Sequence, residues 1–216
     1  MGTGGKDGLR LFFACELPGE IKGELLSLKE ELCRSSSHWG TRNWKWVEEE
    51  NLHLTVRFLG ETPGERLETV MEAGREAVAG MGPFSLSVGG LGFFPSRGPV
   101  RVVWVGVEEA PELLRLRARL EEALFSRGFP REEREFHPHL TLARAREPVP
   151  RRILRLSSPE EGKPPVPGGS EAEAAPLARP IGTFPVRELV LLRSILRPSG
   201  PEYHPLATFA LASPTA

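Results

Sequence analysis

Two tetrapeptides in the 216-residue chain carry residue types suited to chemistry: His53-Leu54-Thr55-Val56 and His139-Leu140-Thr141-Leu142. With five His and nine Thr in the chain, random placement would give about 0.2 His-x-Thr pairs, so two are more than composition explains. Strand alternation adds to the pattern. From Leu52 to Phe58 the residues Leu52, Leu54, Val56 and Phe58 share one face, and His53, Thr55 and Arg57 share the other. In the second copy Leu140 and Leu142 face one way, while His137, His139, Thr141 and Ala143 face the other. Each strand buries its aliphatic side and presents an imidazole beside a hydroxyl. Alternation also predicts Phe58 in the core and Arg57 in the cleft beside His53.

Such a set suits acid–base work at a phosphate. Two imidazoles can hold opposite protonation states near neutral pH, one accepting and one donating. Two hydroxyls beside them can donate to nonbridging phosphate oxygens as charge builds up. No cluster of metal-ligand spacing accompanies the histidines, so the sequence requires no metal and no cofactor. The residues alone do not say which imidazole is the acid.

Other residues carry less. Arg144 follows the second motif, but Arg131, Arg134, Arg146, Arg151 and Arg152 stand nearby and suit solvent equally well. His137 shares a face with His139 and is read as structural. Trp46 near a strand end is read as packing rather than as a base-stacking surface. His38 and His204 have no partner in their neighbourhood and are read as structural too. The N-terminal Gly-Thr-Gly-Gly-Lys is too short for a phosphate loop and follows no strand.

The elements that must position the motifs follow from periodicity. Arg10 to Leu17 reads as a buried strand, and Ile21, Leu25, Leu28 and Leu32 mark an amphipathic helix after it. Strands are predicted at Asn43 to Val47, Leu52 to Leu59, Phe84 to Val88, Val100 to Val107, His139 to Ala143, Arg187 to Leu196 and Tyr203 to Leu211. Gly89 to Pro99 reads as a turn-rich connection. Helices are predicted over Leu67 to Val78 and from Pro111 to Leu124. Ser157 to Pro180 holds six Pro and three Gly in 24 residues, which predicts a mobile surface loop. Short connections between neighbouring strands argue an α+β fold with largely antiparallel sheets.

Composition narrows the partners. The formal net charge is −1, whereas a protein lying along many phosphates normally carries a large positive excess. A nucleic-acid ligand would thus be held at an end or over a few nucleotides. No apolar run reaches the roughly 18 residues of a membrane span. The first ten residues resemble neither a secretory signal nor a lipidation site. Two cysteines make no framework, and a cytoplasmic setting is expected.

The motifs and their surroundings resemble the 2H phosphoesterases, and within them the bacterial and archaeal RNA 2′,3′-cyclic phosphodiesterases once called 2′-5′ RNA ligases. Leu11 to Ala14 with Leu17-Pro18 is similar to the opening strand of that family. Trp46-Val47 and Glu50 to Gly60 resemble its first motif region, and Phe136 to Arg144 its second. Gly90 to Pro95, Val103 to Val107 and Ser194 to Tyr203 resemble its middle strands and C-terminal hairpin. The resemblance spans roughly residues 10 to 211. It implies a bilobal α+β fold in which two mainly antiparallel sheets with outer helices surround a central cleft, each lobe giving one His-x-Thr strand. Residues 1–9 would be a flexible N-terminus, and 10–216 one bilobal domain with its mobile loop at 157–180. The resemblance further implies hydrolysis of terminal 2′,3′-cyclic phosphates to 2′-phosphates without a cofactor. It assigns His53 as proton donor and His139 as proton acceptor, with Thr55, Thr141 and Arg144 on the phosphate; strand alternation adds Arg57 as a further candidate. Expected partners are RNA ends or small cyclic-phosphate nucleotides, met by a monomer away from any membrane. The alternatives are a 2′-5′ RNA ligase acting on tRNA halves and an RNA-end-binding protein without turnover.

Overall fold

The computed structural model describes residues 8–108, 110–154, 180–198 and 200–212. Along the chain these form β1 (Gly8–Glu16), α1 (Gly19–Ser35), β2 (Trp44–Trp46), β3 (His53–Pro63), α2 (Leu67–Val78), β4 (Phe84–Phe94), β5 (Val100–Val107) and α3 (Pro111–Phe125). β6 (His139–Val149), β7 (Pro180–Val186), β8 (Glu188–Leu196) and β9 (Pro201–Ala210) complete them. The strands run in the order β7-β4-β5-β6-β3-β1-β8-β9, with β2 paired to β6. Every pairing is antiparallel. The two halves meet at one pair, Leu54 opposite Leu140, so the His-x-Thr strands form the seam of a single curled sheet.

Helices cover the outer face. α1 buries Ile21, Leu25, Leu28 and Leu32, the residues its sequence period selects, and packs near β7. α2 and α3 pack on each other and on the other half of the sheet. Gly74 lets α2 approach closely, since a Cβ there would stand 2.7 Å from the ring of Phe209 on β9. Pro111 opens α3 at its first position, where the missing N–H costs nothing.

Three expectations are corrected. β4 runs on to Phe94, through the stretch read as a turn, because Gly89 to Phe94 pairs with β5 around a bulge at Gly90. β7 has no counterpart in the predicted strands. Its sequence Pro-Ile-Gly-Thr-Phe-Pro-Val carries two prolines, which only a strand at the sheet edge tolerates, and that is where it lies. Of the predicted loop Ser157 to Pro180, only Pro180 falls within the described residues, as the first residue of β7.

The third correction concerns the faces of the motif strands. Between β1 and β3 the register passes from Phe13–Arg57 to Ala14–Thr55, leaving Val56 as an extra residue. Between β5 and β6 it passes from Val103–Ala143 to Trp104–Thr141, leaving Leu142 extra. A bulge puts two successive side chains on one side and then restarts the alternation in opposite phase. Val56 with Arg57, and Leu142 with Ala143, are therefore all buried. Phe58 and Arg144 turn to the cleft instead, and Phe58 is 41% exposed.

Candidate active site

The concave side of the seam holds a cleft of about 530 Å³. His53 and Thr55 reach it from β3, and His139, Thr141 and Arg144 from β6. Antiparallel pairing about Leu54 and Leu140 brings His53 and Thr141 to one side of that pair, and Thr55 and His139 to the other. The two imidazole–hydroxyl units are thus related by an approximate two-fold axis. Phe58 and Arg144 occupy equivalent stations after matching bulges, so the symmetry breaks where one strand offers an aromatic ring and the other a cation.

Each imidazole is fixed in the same way. The Nδ1–H of His53 donates to the Asn51 carbonyl at 2.8 Å, and that of His139 to the His137 carbonyl at 2.6 Å. A carbonyl can only accept, so Nδ1 carries the proton and Nε2 is the atom left for acid–base exchange. On the β3 side, the Thr55 hydroxyl lies 3.0 Å from His53 Nε2. It donates to the neutral ring. Protonation reverses that bond and frees the hydroxyl hydrogen for another acceptor.

Aromatic walls flank both rings. Phe12 and Tyr203 stand 5.0 and 5.1 Å from His53, and Phe94 and Trp104 stand 5.0 and 5.9 Å from His139. Gly92 lets Trp104 lie across β4, since a Cβ there would come within 2.1 Å of the indole. These walls partly bury the rings, and that burial is the main reason the imidazole pKa values fall. That of His53 drops to about 4, with Arg144, Lys22 and His139 adding to the fall against the hydrogen bond to Asn51. That of His139 is lowered as well, by burial first and by Arg144. Burial holds the Tyr203 phenol above its ordinary value, against the pull of Arg144 and Arg10.

Five of the six candidate residues line this cleft: His53, Thr55, His139, Thr141 and Arg144. Arg57 does not. It is 6% exposed on the opposite side of β3, where its Nε meets Glu121 at 2.7 Å and its Nη1 lies 3.5 Å from Glu132. Its guanidinium also donates to the carbonyls of Phe58 and Pro130, and Arg117 donates to that of Val56. These bonds grip the β3 bulge from behind, so Arg57 helps to shape the site from the core. Phe58, expected in the core, lines the cleft for the same reason. Phe12, Tyr203 and Arg10 also line it and carried no signal of their own in the sequence. Their alternation in β1 and β9 is ordinary, and only the sheet's curl turns those strands toward the histidines. Trp46 is buried with its Nε1–H on the Trp39 carbonyl, and it also lines the cleft. His38 bonds Ser36, and His204 faces Glu202.

A curled antiparallel sheet with two His-x-Thr strands meeting across one cleft defines a 2H phosphoesterase. A family model described as the 2′-5′ RNA ligase superfamily matches residues 28–194. The chain is 35% identical over 203 residues to an RNA 2′,3′-cyclic phosphodiesterase of Archaeoglobus fulgidus, covering 93% of this chain and 99% of that one. It is 35% identical to one of Thermus thermophilus, covering 94% and 90%. Among solved structures it is similar to TT0787 of Thermus thermophilus, with a TM-score of 0.76 at 30% identity over 96% of this chain and all of that one. It is similar too to Escherichia coli LigT complexed with 3′-AMP, with a TM-score of 0.68 at 28% identity over the same shares. The chain belongs to the 2′-5′ RNA ligase superfamily.

Proposed function

We propose that this chain hydrolyses 2′,3′-cyclic phosphates at RNA ends to 2′-phosphates, using two histidines and no metal. One observation carries the reading: both imidazoles hold Nδ1–H against backbone and leave Nε2 for the same cleft. In the proposed reaction His139 Nε2 takes a proton from water as its oxygen bonds to phosphorus. The bond from phosphorus to the 3′-oxygen breaks, and protonated His53 supplies a proton to that oxygen. Thr55, Thr141 and Arg144 hold the nonbridging oxygens. Burial and the Arg144 charge disfavour a charged imidazole, and an anionic phosphate beside Arg144 offsets that bias by opposing the guanidinium's charge. The names of the curated relatives and the 3′-AMP bound by the E. coli neighbour support RNA-terminal nucleotides as the substrate class.

The decisive assay supplies an oligonucleotide ending in a 2′,3′-cyclic phosphate in EDTA. The expected product is a phosphatase-sensitive 2′-monoester. Binding of the oligonucleotide with no product would favour an RNA-end-binding protein instead. A substrate with sulfur in place of the leaving 3′-oxygen separates the roles, because sulfur departs with little protonation. It should rescue His53→Ala and not His139→Ala, and the opposite rescue would exchange acid and base.

A further inference from the structure

Beyond the residues around the reacting phosphate, the cleft is lined by two further cations, Lys45 and Arg10, and Arg10 is the one whose setting the structure spells out. Arg10 stands on β1 two residues before Phe12, on the same face, and lines the cleft. Its guanidinium lies 4.8 Å from the centre of the Phe58 ring. Such stacking fixes the orientation of the planar group and leaves its N–H edges free to bond a phosphate. Its carboxylate neighbour is Glu61, opposite it in register, at 3.9 Å with side chains 37% and 66% exposed. That distance and exposure make Glu61 a weak competitor for an anion.

Position suggests which anion. Arg10 lies four residues along β1 from Ala14, which pairs with Thr55. Four residues of strand span about 13 Å, and the long side chain narrows that gap to the reach of one nucleotide. Arg144, whose charge acts on both histidines, sits after Thr141 on the other strand, so Arg10 and Arg144 flank the imidazole pair from opposite lobes. Both charges act on the Tyr203 phenol, which lines the same cleft.

We propose that Arg10 binds the phosphodiester on the 5′ side of the terminal nucleotide, so that the cleft selects the end of an RNA chain over a cyclic mononucleotide. The inference rests on the proposed hydrolysis and names the substrate feature read beside it. A phosphodiester one nucleotide from the reacting end exists only in a chain of two or more nucleotides. A 5′-hydroxyl mononucleotide offers Arg10 nothing.

The test compares adenosine 2′,3′-cyclic phosphate with the dinucleotide of adenosine ending in the same group. The intact protein should favour the dinucleotide in kcat/KM, chiefly through KM. Arg10→Gln should cut that preference about tenfold, and Arg10→Lys should restore part of it. The salt dependence of dinucleotide binding should lose about one unit of log–log slope in Arg10→Gln. Glu61→Gln should tighten dinucleotide binding. A dinucleotide whose internal linkage is an uncharged methylphosphonate should lose the preference with the intact protein, and Arg10→Gln should then cost nothing further. Equal effects of Arg10→Gln on both substrates, or full preference for the methylphosphonate, would overturn the assignment. The methylphosphonate arm needs no variant, so it decides even if Arg10→Gln folds poorly. Turnover of neither substrate by the intact protein would instead sink the hydrolase reading.

Discussion

His53 and His139 each keep Nδ1–H on a carbonyl two residues back, which fixes the tautomer and aims a single nitrogen at the substrate. If the two act as acid and base, His53→Ala and His139→Ala should each lower turnover by about 10² to 10⁴. The double variant should be little worse than either single one, because the groups act as a unit. Near-normal turnover in one single variant would end the paired mechanism. Arg144 lowers the pKa of both rings from outside them. Arg144→Gln should therefore raise both imidazole pKa values in an NMR titration while weakening phosphate binding. Unmoved imidazole resonances would place Arg144 outside the field of the site.

At the scale of elements, the two bulges decide which side chains the strands present. Period-two reading places His53, Thr55, His139 and Thr141 correctly because they precede the bulges. It misplaces Arg57, Phe58 and Ala143 because they follow them, and one extra residue inverts every later position. The β3 bulge rests on a cluster of opposite charges, with Glu121 ion-paired to Arg57 at 2.7 Å and to Arg117 at 3.2 Å. Removing one member strands its partners in a dry place. Glu121→Ala should cost about 3 kcal/mol in urea unfolding, and the added change Arg57→Met should return part of that loss. Additive losses in the double variant would mean that the pair is not coupled. Nothing in a one-dimensional pattern reveals such a cluster, since Arg57 and Glu121 lie on different elements.

For the molecule as a whole, burial of His53 links stability to pH. Its imidazole has a pKa of about 4 when folded and about 6.5 when exposed. Below pH 6.5 the unfolded chain binds a proton that the native state refuses. Stability is therefore complete above that pH, falls as pH drops, and levels off below about pH 4, by up to about 3 kcal/mol from this group. His53→Gln should flatten the loss in that window when unfolding is followed against pH. An unchanged slope would show that other groups govern it.

Composition, periodicity and the doubled His-x-Thr by themselves determined the α+β class, nearly every strand and helix, and the four residues at the seam. Local chemistry suffices there, because an aliphatic face must be buried and the motif residues lie opposite it. Tertiary structure alone decided that the two strands meet at Leu54 and Leu140, and that Phe58 rather than Arg57 enters the cleft. It also decided that Arg10 and Tyr203 join the site, and that an edge strand with two prolines closes the sheet. These depend on which strand pairs with which and in what register, and register is settled between distant segments that share no local pattern.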